Sequence, residues 1–138
     1  MKQFQLIISI CLSLIIMCCS SSKENANSLI NDIWVLEFLK GTDYKPGNNS
    51  SKRPQIEIHL NEKTIVGNTG CNSMNGNVNV EEDQIEFSDI ITTKMFCPDG
   101  IEQEFLMTLG MVNNYKIEKM KLYLYRDDEE LMIFQKID

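Results

Sequence analysis

With 20 acidic against 13 basic side chains in 138 residues, the chain carries a formal net charge of −7. That balance repels nucleic acid and the anionic face of a membrane alike. Once a leader is set aside, about 110 residues remain, which suits one domain with a single core.

The N-terminus reads as a leader. Lys2 supplies a positive start, and Phe4 to Met17 is mostly Leu, Ile, Phe and Met. Such a stretch is short for a membrane span, which needs about 20 residues, but suits a signal-peptide core. Its exit, Ile16-Met17-Cys18-Cys19, resembles a lipobox, in which a small residue precedes the acylated cysteine. Cleavage before Cys18 would put bulky Met17 at the small position, so Cys19 is the expected lipid anchor. Residues 1–18 are then a signal peptide, 19–30 a lipid-anchored tether and 31–138 the folded domain. Ser20 to Ser28 is Ser, Lys, Glu, Asn and Ala, with nothing to bury. Loss of residues 1–18 removes Lys2 and no acid, which takes the net charge from −7 to −8. Several acyl chains together would hold such a protein on a membrane. Ser20 rather than Asp follows the anchor, so inner-membrane retention is not indicated and the outer membrane, with the domain in the periplasm, is expected.

Behind the tether, Asp32 to Leu39 is β-branched and aromatic and predicts a strand. Gly41 to Arg53 is a polar loop. Gln55 to Leu60 alternates, with Ile56, Ile58 and Leu60 on one face, and after the turn Asn61-Glu62-Lys63 the segment Thr64–Asn68 pairs back. Short strands follow at Asn77–Val80, Ile85–Phe87 and Ile90–Met95. The period then becomes helical, with Ile101, Phe105, Leu109 and Val112 on one stripe, Asp99 and Glu102 placed to cap its start and Asn113-Asn114 its end. Tyr115–Ile117, Lys121–Tyr125 and Leu131–Gln135 resume strands. The fold class predicted is mainly β (α+β): a curled antiparallel sheet or small barrel with one packed helix.

Gly67 to Gly76 is dense in Gly and Asn, both of which accept positive φ, and predicts a sharp turn or bulge. It lacks the Lys and following helix of a phosphate cradle. After cleavage Cys71 and Cys97 are left in the body of the domain. Beyond the inner membrane a disulfide between them is expected, although zinc ligation with His59, or a Cys71 nucleophile with His59 as base, are the other uses of these residues. A single His and no Cys-x-x-Cys argue against zinc, and a nucleophile must stay reduced, which an oxidising compartment opposes. Two acidic clusters, Glu81-Glu82-Asp83 and Asp127-Asp128-Glu129-Glu130, fall between strands as solvated charge without calcium-loop spacing. Met107, Met111, Met120 and Met132 read as flexible core filler.

From Trp34 to Phe134 the chain resembles the META/HslJ family of small bacterial envelope domains. The marks are Trp34-x-Leu36, Gly67-Asn68-x-Gly70-Cys71-Asn72 with Gly76, Ile85-x-Phe87, Thr93-Lys94-Met95-Phe96-Cys97-Pro98, Glu104-Phe105, Tyr115-x-Ile117 and Leu122-x-Leu124. In this order Gly-Cys-Asn with the later Thr-x-Met-x-Cys is specific. The resemblance implies a lipocalin-like barrel with a helix, no established enzyme activity, and a structural role for Gly70, Cys71, Asn72 and Gly76. Some members are associated with heat shock or antibiotic tolerance, which implies an envelope-stress role. The expected function is that of a lipid-anchored, non-enzymatic binding domain without catalytic residues, metal or cofactor. Its partners would be the membrane, through the N-terminal lipid, and an envelope protein or small ligand, with no nucleic acid. A carrier of a small apolar ligand is the alternative, and a Cys- or carboxylate-dependent hydrolase a more remote one. The barrel interior separates the first two: filled by Trp34, Phe38, Phe87 and the methionines, it leaves no room for a ligand.

Overall fold

Alternation repeated along the chain produces eight antiparallel strands in the computed structural model, which describes residues 29–42, 53–96 and 101–137. They are β1 (Ile33–Leu39), β2 (Gln55–His59), β3 (Thr64–Asn68), β4 (Ser73–Glu81), β5 (Gln84–Thr92), β6 (Asn114–Glu118), β7 (Lys121–Arg126) and β8 (Glu129–Lys136). The helix α1 (Ile101–Leu109) stands between β5 and β6. Each strand pairs with its sequence neighbour, and β1 pairs with β8, so the sheet closes into a barrel. The mainly β class predicted from the sequence is the observed one. The leader, Cys19, the tether to residue 28, Cys97 and Asp99 lie outside the described residues.

One face of every strand points inward. Trp34, Leu36, Ile56, Ile58, Ile65, Val78, Ile85, Leu122, Leu124 and Phe134 all join one buried cluster. Trp34 is only 1% exposed, and its indole N–H donates to the Ile30 carbonyl at 2.9 Å, so the ring is buried without an orphaned donor. Against this cluster α1 lays its predicted stripe: Phe105, Leu109 and the following Val112 are buried and Ile101 is partly so. Phe105 meets Phe134 edge-on, with centroids 6.3 Å apart and planes at 73°.

Irregularities re-aim several side chains away from their predicted positions. The β1–β8 register slips between Leu36 and Phe38, an extra residue on β1, so Leu39 turns inward and Phe38 outward. Phe38 is 39% exposed and is not part of the filling. Arg53 donates from Nε and Nη2 to the Leu36 carbonyl beside this bulge, at 3.2 and 2.8 Å. The predicted strands at Ile85–Phe87 and Ile90–Met95 are one strand that ends at Thr92; Asp89, at φ 50°, carries the bulge between their two halves. β4 likewise runs longer than predicted, taking in Ser73 to Gly76 of the Gly/Asn segment. Of the methionines, Met74 and Met132 are core, whereas Met107, Met111 and Met120 face outward. Met107 lies off the buried stripe of α1, Met111 borders the loop after it, and Met120 sits in the β6–β7 turn, where both it and Lys119 have positive φ.

Neighbouring strands pair over several residues, but among the described residues β5 and β6 pair only at Gln84 and Asn114. Beyond that pair Ile85 N–H still donates to the Asn113 carbonyl, and residues 84–87 of β5 then share a cleft with residues 110–114. The seam that opens at this point positions the cleft described below.

Candidate functional site

The turn between β3 and β4 is Thr69 to Asn72, and its own side chains build it. Asn68 Oδ1 accepts from Gly70 N–H at 3.0 Å, and Gly70 takes φ 94°, which a residue with a Cβ adopts only under strain. Thr69 N–H donates to the Asn72 carbonyl at 2.8 Å, and Asn72 N–H donates to Thr69 Oγ1 at 3.1 Å. Gly76 answers a different demand: a Cβ there would lie 2.5 Å from Ile90 Cδ1 and 2.9 Å from the Ser88 carbonyl oxygen.

Asn72 is 1% exposed and joins three segments. Its Oδ1 accepts from Thr93 Oγ1–H and Met95 N–H, both at 2.8 Å. Its Nδ2 donates to the Met95 carbonyl at 3.2 Å and to Glu102 Oε2 at 2.8 Å. The other oxygen of Glu102 accepts from Thr69 Oγ1 at 3.0 Å. Glu102, expected as a capping partner of Asp99, thus reaches from the first turn of α1 to the turn before β4. Among the described residues, Thr69 and Asn72 both donate to the Glu102 carboxylate, and the Asn72 amide bonds through both its oxygen and its nitrogen, which together make a clamp. Of the expected site residues, Gly70, Asn72 and Gly76 act on the backbone and its packing. Cys71 stands within the clamp turn, while Cys97, expected to pair with it, lies outside the described residues.

The reactive-thiol alternatives required His59 near Cys71. His59 instead pairs with Thr64 at one end of the β2–β3 hairpin, and Cys71 follows the other end, where Asn68 pairs with Gln55. Four steps of strand put roughly 13 Å between those ends. His59 Nε2 rests 3.3 Å from Glu57 Oε1 on the outer surface.

The two acidic turns, which sequence reasoning treated apart, border one cleft of about 770 Å³ at the opened seam. Its walls are residues 84–87 of β5 and 110–114 after α1, with Glu81, Asp83 and Asp127 around them. Asn113 and Asp127 lock the rim reciprocally: Asn113 Nδ2 donates to Asp127 Oδ1 at 2.9 Å and Asp127 N–H donates to Asn113 Oδ1 at 2.8 Å. Asn114 Nδ2 donates to the Asp127 carbonyl at 3.1 Å, and its Oδ1 is buried without a hydrogen-bond partner among the described residues. Beside the rim, Tyr115 donates its hydroxyl to the Glu82 carbonyl at 3.0 Å. Burial, with the Asp83 charge adding to it, pushes the Tyr115 phenol above the ordinary tyrosine range. Asn113 and Asn114 were legible only as a helix stop; their second use depends on which strands the closed sheet brings beside them.

Three solved structures share this fold. An NMR structure of a protein from Burkholderia xenovorans has a TM-score of 0.66 at 19% identity, covering 80% of this chain and 85% of that one. A second NMR structure has a TM-score of 0.59 at 19% identity, covering 80% and 92%. The crystal structure of a DUF4847 family protein from Bacteroides vulgatus ATCC 8482 has a TM-score of 0.54 at 14% identity, covering 81% and 98%. No curated protein matches the chain significantly. The META domain pattern matches residues 27–138, the whole of the barrel and helix just described. The chain belongs to the META domain family.

Proposed function

We propose that this protein is a lipid-anchored, non-enzymatic META domain of the cell envelope that works by binding a partner on its outer surface. The observation that carries the reading is the use of its most chemically suggestive residues. Asn72, Thr69 and Glu102 are spent on one another and on the backbone, and the barrel interior is filled by one continuous apolar cluster. With the interior occupied, the carrier reading has no observation in its favour, and recognition falls to the outside of the barrel. The anchor rests on the apolar core of residues 4–17, the Cys18-Cys19 exit and the polar tether. A Cys71–Cys97 disulfide is part of the proposal, supported by the bonds that Asn72, next to Cys71 in sequence, makes to both backbone groups of Met95, two residues before Cys97 in sequence.

Fractionating cells that express the wild type and Cys19→Ser tests the anchor. Wild type should partition with membranes and show an acylated Cys19 by intact mass, and the variant should be released or remain unprocessed. An unmodified Cys19, or cleavage elsewhere, overturns the anchored reading.

A further inference from the structure

The geometry points to the opened β5–β6 seam as a docking groove for an extended, basic peptide segment, which would add a short strand to β5. This rests on the proposed role of the domain as a binding module and names the chemistry of its partner.

The backbone makes the first argument. In an antiparallel ladder the residues directed to one side alternate. Ile85 N–H donates to the Asn113 carbonyl at 3.2 Å, so Ile85 faces the β6 side, and Phe87 is the next residue to do so. β6 has already diverged there, since its pairing with β5 stops at Gln84. The cleft runs along residues 84–87, beside this strand edge. A strand edge bordering a groove pairs with an incoming chain.

Charge makes the second argument. Five carboxylates elsewhere on the barrel have basic neighbours: Asp32 with Lys136 at 2.6 Å, Glu37 with Lys121 at 2.6 Å, Glu57 with His59 at 3.3 Å, Glu118 with Lys116 at 2.7 Å, and Glu129 with Lys40 and Arg126. Glu81, Asp83, Glu86 and Asp127 all border the cleft, and among the described residues none forms a salt bridge. They stand around the rim of the groove, and among the described residues no three carboxylates gather as a metal ligand set. Charges spread around a rim, from the end of β4, the β4–β5 turn, β5 and the β7–β8 turn, fit Lys or Arg side chains carried by a peptide better than they fit one ion. The Met111 side chain at the outer wall adds an adaptable apolar contact.

The test uses the full chain in a non-ionic detergent and a dye-labelled, end-blocked hexapeptide, Lys-Val-Lys-Thr-Lys-Val. Fluorescence anisotropy at low salt should show saturable binding, and the Ile85 to Phe87 amide resonances should shift. Glu81→Gln, Asp83→Asn and Glu86→Gln should each weaken binding by about 1.4- to 5-fold, the range for exposed ion pairs. The same peptide N-methylated at alternate residues keeps its charge but loses the donors on one edge, and should bind about 2- to 13-fold more weakly for each hydrogen bond lost. Glu86 makes no side-chain hydrogen bond among the described residues, so Glu86→Gln is the deciding variant should a multiple variant melt early. Binding indifferent to these substitutions, or undiminished by N-methylation, overturns the proposal. So does displacement of the peptide by millimolar calcium alone, which would mark a cation site. A peptide that fails to bind while Cys19 remains acylated refutes the groove and leaves the anchored reading intact.

Discussion

Replacing Asn72 by Ala tests whether the Gly-Cys-Asn element is a clamp. The substitution removes the donor to Glu102 Oε2 and three further bonds, from Thr93 and with both backbone groups of Met95. A hydrogen bond to a charged group contributes about 1.5–3 kcal/mol, and a neutral one about 0.5–1.5. Met95 is exposed, so water replaces part of what its backbone loses. Asn72 itself is 1% exposed, so its void is not simply refilled. The sum is a loss of about 3–5 kcal/mol, a large share of the 5–15 kcal/mol typical of a domain. Urea unfolding followed by far-ultraviolet circular dichroism measures it. Asn72→Asp adds a signature that mere loss of packing cannot imitate, because it keeps the shape but sets a second carboxylate against Glu102. One proton shared between the two raises a folded-state pKa, so the stability lost at neutral pH should return as pH falls. A change below about 0.5 kcal/mol for Asn72→Ala, typical of an ordinary surface site, would refute the clamp, as would an Asn72→Asp deficit that stays constant with pH.

Phe105→Ala should cost about 3–5 kcal/mol in the same assay, because the ring is fully buried against Phe134, and a surface-like change would mean that α1 is not seated on the barrel. Tyr115 should titrate above free tyrosine in a spectrophotometric titration, with burial as the larger cause, and Asp83→Asn should bring it partway down. Since the raised pKa favours the neutral phenol in the fold, its stability contribution is whole below about pH 10 and is lost as pH rises through the folded value. An unchanged Tyr115 titration in Asp83→Asn would refute that coupling. Reduction of a Cys71–Cys97 bond, which closes a loop of 27 residues counted inclusively, should remove roughly 3.5 kcal/mol in the chain-entropy picture. A melting temperature that reductant does not move would speak against the bond.

Elements whose signal is local were legible in the sequence. The β2–β3 hairpin follows from alternation around a polar turn, and α1 from a four-residue apolar stripe, because both periods are properties of a few consecutive residues. Phe38 and the β5 strand were misread for one shared reason. A bulge changes the phase of alternation without changing composition, and neither Glu37 nor Asp89 announces one. The outward methionines escaped notice because hydrophobicity says nothing of a turn that requires positive φ at Met120. Gly70 was legible as a turn, but the clamp was not. Asn72 meets Thr93, Met95 and Glu102 across 21 to 30 residues of chain. The acidic cleft lay further out of reach, since it exists only where two paired strands part.

Clamp and cleft lie at opposite ends of the same elements, and α1 connects them. β4 begins beside Asn72 and ends at Glu81 on the rim of the cleft. α1 begins at the Glu102 side of the clamp, and its nine residues, about 13 Å of helix, deliver Gly110 to Asn114 to the cleft wall. Holding Glu102 at one end therefore fixes where that wall stands at the other, with the buried Phe105 and Leu109 as the pivot between them. This gives the motif a purpose beyond stability. The Asn72–Glu102 contact holds the helix in place, and residues 110–114, which follow it, form a wall of the cleft that Glu81, Asp83 and Asp127 border. A weakened clamp should accordingly blur the cleft before the barrel unfolds. In hydrogen exchange on Asn72→Ala, protection at residues 110–114 should fall while that of β7 and β8 persists, and uniform loss across the barrel would sever the link.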